Sequence, residues 1–362
     1  MSNKDKYWIG FSSIGCINSA FTLRLFEHFQ DIEKAWNCND LSFCEGLSRE
    51  TGEKFLRARD KTNLDYVTNL VMDKALSYIT YEDGDYPFML KNIDHPPAMF
   101  YYRGYLTWCN LNKTLAVVGS RRATTAAKDV LYKIISEFAG TDICIVSGLA
   151  AGIDTVAHRS AIDSGLKTIG VIASGHNYVY PTTNRDLYKS IENGNGVVLS
   201  EYFPTVEPLR FHFPQRNRIV TGLSYGTVVA EASLKSGALI SANLCLEQGR
   251  DLMCIPGLIS NPNTEGIYKL LKNGAQMITC AEDILDTLGW EVQNNAKQIR
   301  LNFDTLTDAQ KKVCQAIELE PKSFEIILSE TKLDSDSLLV ILTELELNGT
   351  IKQVEGEKYT KI

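Results

Sequence analysis

Leu115-Ala116-Val117-Val118-Gly119-Ser120-Arg121-Arg122-Ala123-Thr124 decides how this chain folds. An apolar, β-rich run ends at a glycine and gives way to a polar segment that opens a helical stretch, Ala126–Phe138. Runs this short and uniformly apolar are strands buried on both faces. The same succession returns at Ile143–Val146, Thr168–Ile172, Gly196–Leu199, Gly226–Ala230 and Leu252–Ile255, with helical stretches between them. Alternation of that kind over residues 114–290 predicts an α/β core, a mostly parallel sheet covered on both faces by helices. Ligand-facing loops in such a sheet follow the strand carboxyl ends, here after Val118, Val146, Ile172 and Val229.

Three other regions flank this core. Residues 8–70 read as short helices, with Leu23, Leu25, Phe26 and Phe29 at near-helical spacing and Gly10, Gly15, Gly46 and Gly52 breaking the pattern. In residues 78–112, Tyr78-Ile79-Thr80-Tyr81 is strand-like, Asp83-Gly84-Asp85 signals a turn, and Pro96-Pro97 precedes Met99-Phe100-Tyr101-Tyr102. Polar residues 291–300 suit a linker. The tail reads as helices Asp308–Glu318, Ser323–Glu330 and Ser335–Leu347, then Asn348-Gly349 and a hairpin of Ile351–Val354 with Lys358–Ile362. Leu338, Leu342 and Leu345 give its third helix an apolar stripe, and the whole suggests a winged helix. The predicted organisation is a small helical, SAM-like domain (1–75), a Rossmann-like core (76–290), a linker (291–300) and a winged-helix-like domain (301–362).

Composition narrows the function classes. At 362 residues, 44% hydrophobic and 22% charged, the chain is a globular protein of two or three domains. No apolar run reaches the ~20 residues of a membrane span, and the first residues lead into no secretory signal, so a cytoplasmic protein is expected. Nine cysteines without a Cys-x-x-Cys pair, Cys38 and Cys44 being closest, read as reduced thiols with no zinc site. The net charge is −7; residues 301–362 hold seven lysines against twelve acids, while residues 113–287 balance sixteen basic residues with sixteen acidic ones. A nucleic-acid role must therefore rest on local clustering.

That clustering exists at Phe211-His212-Phe213-Pro214-Gln215-Arg216-Asn217-Arg218. Arg210, Arg216 and Arg218 stand between Pro208 and Ala230 with no acid among them. Such an island needs an anionic partner or a buried structural role, and its aromatic neighbours offer faces for base stacking. One of Arg216 and Arg218 is expected to be satisfied internally and the other to meet a ligand. At the strand ends, Gly119 frees the backbone to approach an anion, and Arg121 offers a fork of donors. A plain strand-to-helix turn with a solvent-facing arginine is the alternative. The loop lacks the Gly-x-Gly-x-x-Gly fingerprint and no Gly-x-x-x-x-Gly-Lys-Ser/Thr stretch occurs, which argues against dinucleotide binding and nucleotide hydrolysis.

The second strand end, Ser147-Gly148-Leu149-Ala150-Ala151-Gly152-Ile153-Asp154, is built of small residues that let a helix sit close to the sheet. Asp154 and His158 share an i, i+4 face and read as a structural pair rather than a catalytic one. The Gly175–Leu187 stretch, with Tyr178-Val179-Tyr180-Pro181 and Arg185, suits a cleft-lining loop and a surface loop equally. Beyond Gly226-Thr227, Glu231 is expected to orient an arginine, and Ser236 and Gly237 to offer a hydroxyl and amides to an anion. No nucleophile–base–acid order or metal-spaced histidine cluster is present, and no cofactor is implied.

Together these motifs resemble the DNA-processing protein A (DprA/Smf) family. The likeness runs from about Tyr81 to Leu285 and rests on Gly119-Ser120-Arg121, the Ser147–Asp154 stretch, Tyr180-Pro181, Ser200-Glu201-Tyr202, His212–Ile219, Ser236-Gly237-Ala238 and Gly249-Arg250, in the family's order. The helical start and the winged-helix-like tail are similar to its common extensions. The resemblance implies an extended Rossmann-like core in a cytoplasmic, homodimeric bacterial protein that binds single-stranded DNA. It would protect incoming strands in natural transformation and help load the RecA recombinase, and it would not be an enzyme. The site residues expected are Gly119, Ser120, Arg121, Arg122, Gly148, Arg185, Phe213, Arg216, Asn217, Arg218, Lys235, Ser236 and Gly237. Thr182 and Thr183 follow Tyr180-Pro181 where many relatives carry a basic residue nearby, and Arg185 is the substitute. Aromatics such as Tyr178, Phe211 and Phe213 would stack bases.

The tail's third helix offers Asp334, Asp336, Glu344 and Glu346 where a groove-reading helix would present Arg, Lys or Asn, so it is expected to contact protein or regulate the core. A competing reading is a nucleotide or phosphoribosyl hydrolase of the lysine-decarboxylase-like group, from Gly226-Thr227 with Glu231. Leu223-Ser224-Tyr225 lacks the paired glycines of that motif.

Overall fold

Apolar runs with β-branched residues build the sheet, and each core strand is preceded or followed by a helix that covers it. The computed structural model describes residues 4–40, 49–105, 111–291, 307–317, 321–347, 351–354 and 358–361. Cys44, Cys109, the linker beyond residue 291 and the Asn348-Gly349 turn lie outside them. Residues 1–293 form one compact unit and residues 294–362 another.

The first unit starts with α1 (Asp5–Ser13), α2 (Ser19–Phe29), α3 (Ile32–Asn37), α4 (Arg49–Arg59) and α5 (Leu64–Asp73). Side chains of Asn18, Asp31 and Asn63 cap the starts of α2, α3 and α5, satisfying amides that a helix leaves open. The chain continues through β1 (Ser77–Thr80), α6 (Phe88–Lys91), β2 (Met99–Gly104), β3 (Thr114–Val118), α7 (Thr125–Ser136), β4 (Cys144–Ser147), α8 (Ile153–Asp163), β5 (Lys167–Val171), α9 (Arg185–Ser190) and β6 (Gly196–Ser200). It ends with α10 (His212–Gly222), β7 (Gly226–Val229), α11 (Ala238–Glu247), β8 (Asp251–Cys254), α12 (Glu265–Lys272), β9 (Gln276–Met277) and α13 (Ala281–Leu288).

Strand order across the nine-stranded sheet is β1-β2-β6-β5-β4-β3-β7-β8-β9. β6 through β9 in that order are parallel, and β1 and β2 add an antiparallel edge. The chain builds outward from β3 through β4, β5 and β6, then returns to place β7 on the other side of β3. At such a reversal the loops leaving neighbouring strands part and open a crevice at the carboxyl edge. This is the α/β, extended Rossmann-like core read from the sequence.

Two apolar layers sandwich the sheet. One holds Ala116, Val118, Val146, Val171, Ile219 and Val229; the other holds Leu115, Val117, Leu131, Ile145, Ile153 and Val228. Successive residues of one strand fall into opposite layers, as strand alternation demands. The N-terminal helices add their own core of Trp8, Phe11, Phe21, Trp36 and Phe55, which extends onto Met99 and Tyr101 of β2 and onto Phe203. Those helices are thereby packed on the antiparallel edge of the sheet.

The second unit carries α14 (Asp308–Ala316), β10 (Lys322–Ser323), α15 (Phe324–Thr331), α16 (Ser335–Leu347), β11 (Ile351–Val354) and β12 (Lys358–Lys361), with strand order β10-β12-β11. Val313, Ile327, Leu338, Leu342, Leu345 and Ile351 form its core, so the stripe on the third helix faces inward. Three helices with a small sheet are a winged helix. On α16, Leu339 and Val340 are exposed. Among the described residues no helix is long and apolar enough to cross a membrane, and no group of three or more His, Cys, Asp or Glu is placed to hold a metal.

Candidate nucleic-acid interface

The loop after β3 is held from three sides. The Ser120 amide donates to the Glu231 carbonyl at 2.8 Å, and the Ser120 carbonyl accepts from the Ile153 amide at 3.2 Å. The Ser120 hydroxyl oxygen accepts from the Arg122 amide at 3.1 Å. Gly152 has φ +83°, and any side chain there would collide with the Ser120 carbonyl. This close approach is why glycine stands at that position. Gly119 is pressed against Ile153 in the same way.

Arg121, carried at the tip of this fixed loop, is exposed. Its guanidinium lies 4.8 Å from the centroid of the Phe213 ring, within the range of a cation–π contact. Tyr180 meets the same ring edge-on at 5.6 Å. Two loops, after β3 and β5, thus converge on one aromatic ring carried by the first turn of α10. Asn184 locks the Tyr180 loop in place, since its Nδ2 donates to the Leu149 carbonyl at 2.9 Å and to the Thr155 hydroxyl at 2.9 Å.

Beneath them lies Arg216, only 3% exposed. Its Nη1 donates to the carbonyls of Gly148 and Val171, the carboxyl ends of β4 and β5, and its Nε donates to Asn217 Oδ1 at 3.3 Å. Buried Asp154 accepts from the amides of Gly148 at 3.1 Å and Ala150 at 3.3 Å. Desolvation raises the Asp154 carboxyl, opposed by the Arg216 charge and these two amides. Burial also pushes Arg216 down to about 10, with Asp154 pulling up and Arg121 pushing further down. Both cations stand at strand carboxyl ends, Arg121 on the loop after β3 and Arg216 bonded to the ends of β4 and β5.

Several expectations change here. Gly148 and Arg216 were expected to contact the ligand; the structure makes them part of the crevice wall instead. The Gly148 amide and carbonyl are both used internally, and a side chain at that position would strike the guanidinium. Arg218 is also engaged: its Nη2 pairs with Glu201 at 2.6 Å, and the same carboxylate oxygen accepts from the Ser19 hydroxyl at 2.6 Å. The sequence expected one of these two arginines to be free, and both have internal acceptors. Glu231 does not orient an arginine. Its carboxylate takes the Thr124 hydroxyl at 2.7 Å and the Thr124 amide at 3.3 Å, securing the start of α7.

The remaining residues are more open. Arg122, Arg185 at the start of α9, Lys235 and Gly237 are exposed. Ser236 is half-buried, its hydroxyl oxygen accepting from the Ala238 amide at 3.2 Å as α11 begins. Asp154 and His158 make no pair: the His158 Nδ1 meets the Thr168 hydroxyl at 2.7 Å, away from the Asp154 amides. Asn184 and the Asp154 carboxylate are the parts of the site that sequence reasoning missed, while Tyr180 lies in the loop it read as either cleft-lining or surface. Only Tyr180 carried a usable signal, an aromatic beside a proline in a strand-end loop.

A family model described as DNA recombination-mediator protein A matches residues 77–289, and a model of the DprA winged helix domain matches residues 303–357. The chain belongs to the DNA recombination-mediator protein A family. Protein Smf of Synechocystis sp. is 30% identical over the full length of both chains. The X-ray structure of DNA processing protein A from Streptococcus pneumoniae superposes with a TM-score of 0.67 at 31% identity, covering 79% of this chain and 98% of that one. DNA processing protein A from Helicobacter pylori, whose structure addresses its single-stranded DNA binding mode, superposes with a TM-score of 0.53 at 30% identity over 59% of this chain and 95% of that one. The recombination-mediator match contains the whole sheet and every loop of the crevice.

Proposed function

We propose that the crevice at the carboxyl edge of β3, β4, β5 and β7 binds single-stranded DNA, and that the chain acts in recombination without catalysing a reaction. The observation that carries this reading is the Arg121 guanidinium laid on Phe213 at the tip of a rigid loop. No salt bridge among the described residues occupies Arg121. A fixed cation over an aromatic face offers a phosphate contact and a stacking edge side by side, which suits a strand with unpaired bases. Arg122 and Lys235, on the loops after β3 and β7, and Arg185 at the start of α9 add exposed positive charge. Phosphate contacts carry no base code, so sequence preference is weak.

The finer reading follows the family. The chain works as a cytoplasmic homodimer, shields incoming strands and passes them to a RecA recombinase. It is organised as a helical domain to residue 75, a core to 290, a linker to 300 and a winged-helix domain to 362. The winged helix serves a protein contact, supported by exposed Leu339 and Val340 on α16 among acidic neighbours. A hydrolase finds no support at Glu231, whose carboxylate is tied to Thr124.

A titration with labelled single-stranded and duplex oligonucleotides of equal length, at two salt concentrations, tests the proposal. Tighter single-strand binding that weakens with salt is expected. Equal affinity for the two forms would refute it.

A further inference from the structure

Leu149 stands at φ +54°, a left-handed backbone that residues other than glycine rarely adopt. Its side chain is sealed in a core with Ile172, Leu187, Tyr188, Ile191 and Val198. The turn it makes lies between Gly148, whose carbonyl meets Arg216, and Ala150, whose amide meets Asp154. A turn of this kind persists only where its surroundings hold it, and such turns gather at functional sites. Asn184 braces this one. It is 5% exposed, and its Nδ2 reaches the carbonyls of Leu149 at 2.9 Å and Ala150 at 3.2 Å.

The same asparagine closes the loop after β5. Its backbone amide donates to the Pro181 carbonyl at 3.0 Å, in the turn that follows Tyr180. Tyr180 is 49% exposed, with its ring edge-on to Phe213. Thr155 of α8 completes the link: its hydroxyl accepts from Asn184 Nδ2 at 2.9 Å and donates to the Ala150 carbonyl at 2.8 Å. One buried side chain thus joins the carboxyl end of β4 to the loop that carries Tyr180.

We propose that Asn184 is a positioning residue for strand binding: it touches no nucleotide, and it holds Tyr180 against Phe213 before a strand arrives. The inference rests on the reading of the crevice as a single-strand site. Without the Asn184 amide the Leu149 turn loses its brace and the Tyr180 loop its anchor, so Tyr180 has to be ordered as the strand binds. Ordering one side chain on binding lowers affinity roughly three- to ten-fold. Asn184→Asp keeps the shape but sets carboxylate oxygens against the two carbonyls, so it has the same effect. A residue that only filled volume would tolerate that change.

The test is oligothymidine affinity, measured well below every melting temperature, for Asn184→Ala, Asn184→Asp, Tyr180→Ala, the double variant Asn184→Ala with Tyr180→Ala, and Thr114→Val. Thr114 begins β3 at the end away from the crevice, and its hydroxyl is buried on the Leu223 carbonyl, so Thr114→Val lowers stability without reaching the site. Both Asn184 variants are expected to weaken the strand roughly three- to ten-fold. The double variant should bind no more weakly than Tyr180→Ala alone, because Asn184 acts through Tyr180. Thr114→Val should melt lower and bind like wild type. Asn184 variants with wild-type affinity overturn the inference, as do losses that multiply in the double variant or an equal loss in Thr114→Val. Should the Asn184 variants not fold, Thr155→Val removes only the bridging hydroxyl and carries the same comparison. Tyr180→Ala binding like wild type also overturns the inference. If Arg121→Ala binds like wild type as well, the crevice reading itself fails, a separate result.

Discussion

Asp154 and Arg216 grip the same residue from opposite sides: the Asp154 carboxylate accepts the Gly148 amide, and the Arg216 guanidinium donates to the Gly148 carbonyl. A methyl group added at Gly148 would enter the guanidinium, which is enclosed and has nowhere to retreat. Gly148→Ala is expected to cost about 1–3 kcal/mol of stability, as overpacked sites do. Urea unfolding measures it. A wild-type midpoint would show that Arg216 moves freely.

Removing the buried cation should cost more than crowding it. Arg216→Met leaves the Asp154 carboxylate buried without its counter-charge, and such breaks cost about 3–5 kcal/mol. The double variant Arg216→Met with Asp154→Asn should recover part of that loss, because neither charge then stands alone. Additive losses in the cycle would mean the two residues are independent.

Two buried imidazoles set an acid limit on the first unit. Burial pushes His158 down to about 3, helped by the Arg216 charge, and pushes His176 down to about 4 against the raising effect of its Tyr101 carbonyl partner. Thr168 gives its hydroxyl proton to the Ile145 carbonyl, so His158 donates from Nδ1 and stays neutral. Folded-state values below the unfolded one mean that the unfolded chain takes up protons first. Stability is therefore complete above pH ~6.5 and falls as the pH drops toward 4, by about 1.4 kcal/mol per pH unit for each histidine. Melting temperatures at pH 7 and pH 5 should show the loss, and His176→Gln should lessen the pH dependence. An unchanged melting temperature at pH 5 would contradict the burial of both rings.

Much of the fold was legible because the strands are buried on both faces. Leu115–Val118, Gly196–Leu199 and Gly226–Ala230 needed only a residue of adjustment, since uninterrupted β-branched runs leave little choice of register. Edge strand β9, with only Gln276 and Met277, lacks such a run and could not be read. The strand-end placement of Arg121 was legible, because the apolar run and Gly119 mark where β3 stops. The site was not legible at Arg216 and Arg218, because a guanidinium's acceptors come from Gly148, Val171 and Glu201, distant in sequence. Glu231 misled for the same reason, its partner Thr124 lying 107 positions away.

Thr124 joins the crevice to the stability of α7. Its hydroxyl oxygen accepts from the Ala127 amide at 3.3 Å while the hydroxyl donates to Glu231. Thr124→Val deletes the cap and leaves a buried carboxylate short of a donor, with an expected loss of about 1–2 kcal/mol. Thermal melting measures it. Oligonucleotide affinity should fall with it, since the same loop carries Arg121.

The most direct measurement is the dependence of single-strand affinity on salt for wild type and Arg121→Ala. If Arg121 grips a phosphate, the slope of log affinity against log salt becomes shallower by about 0.7 in the variant, with the melting temperature unchanged. Parallel lines with equal affinities would contradict the assignment of the crevice as the strand-binding site.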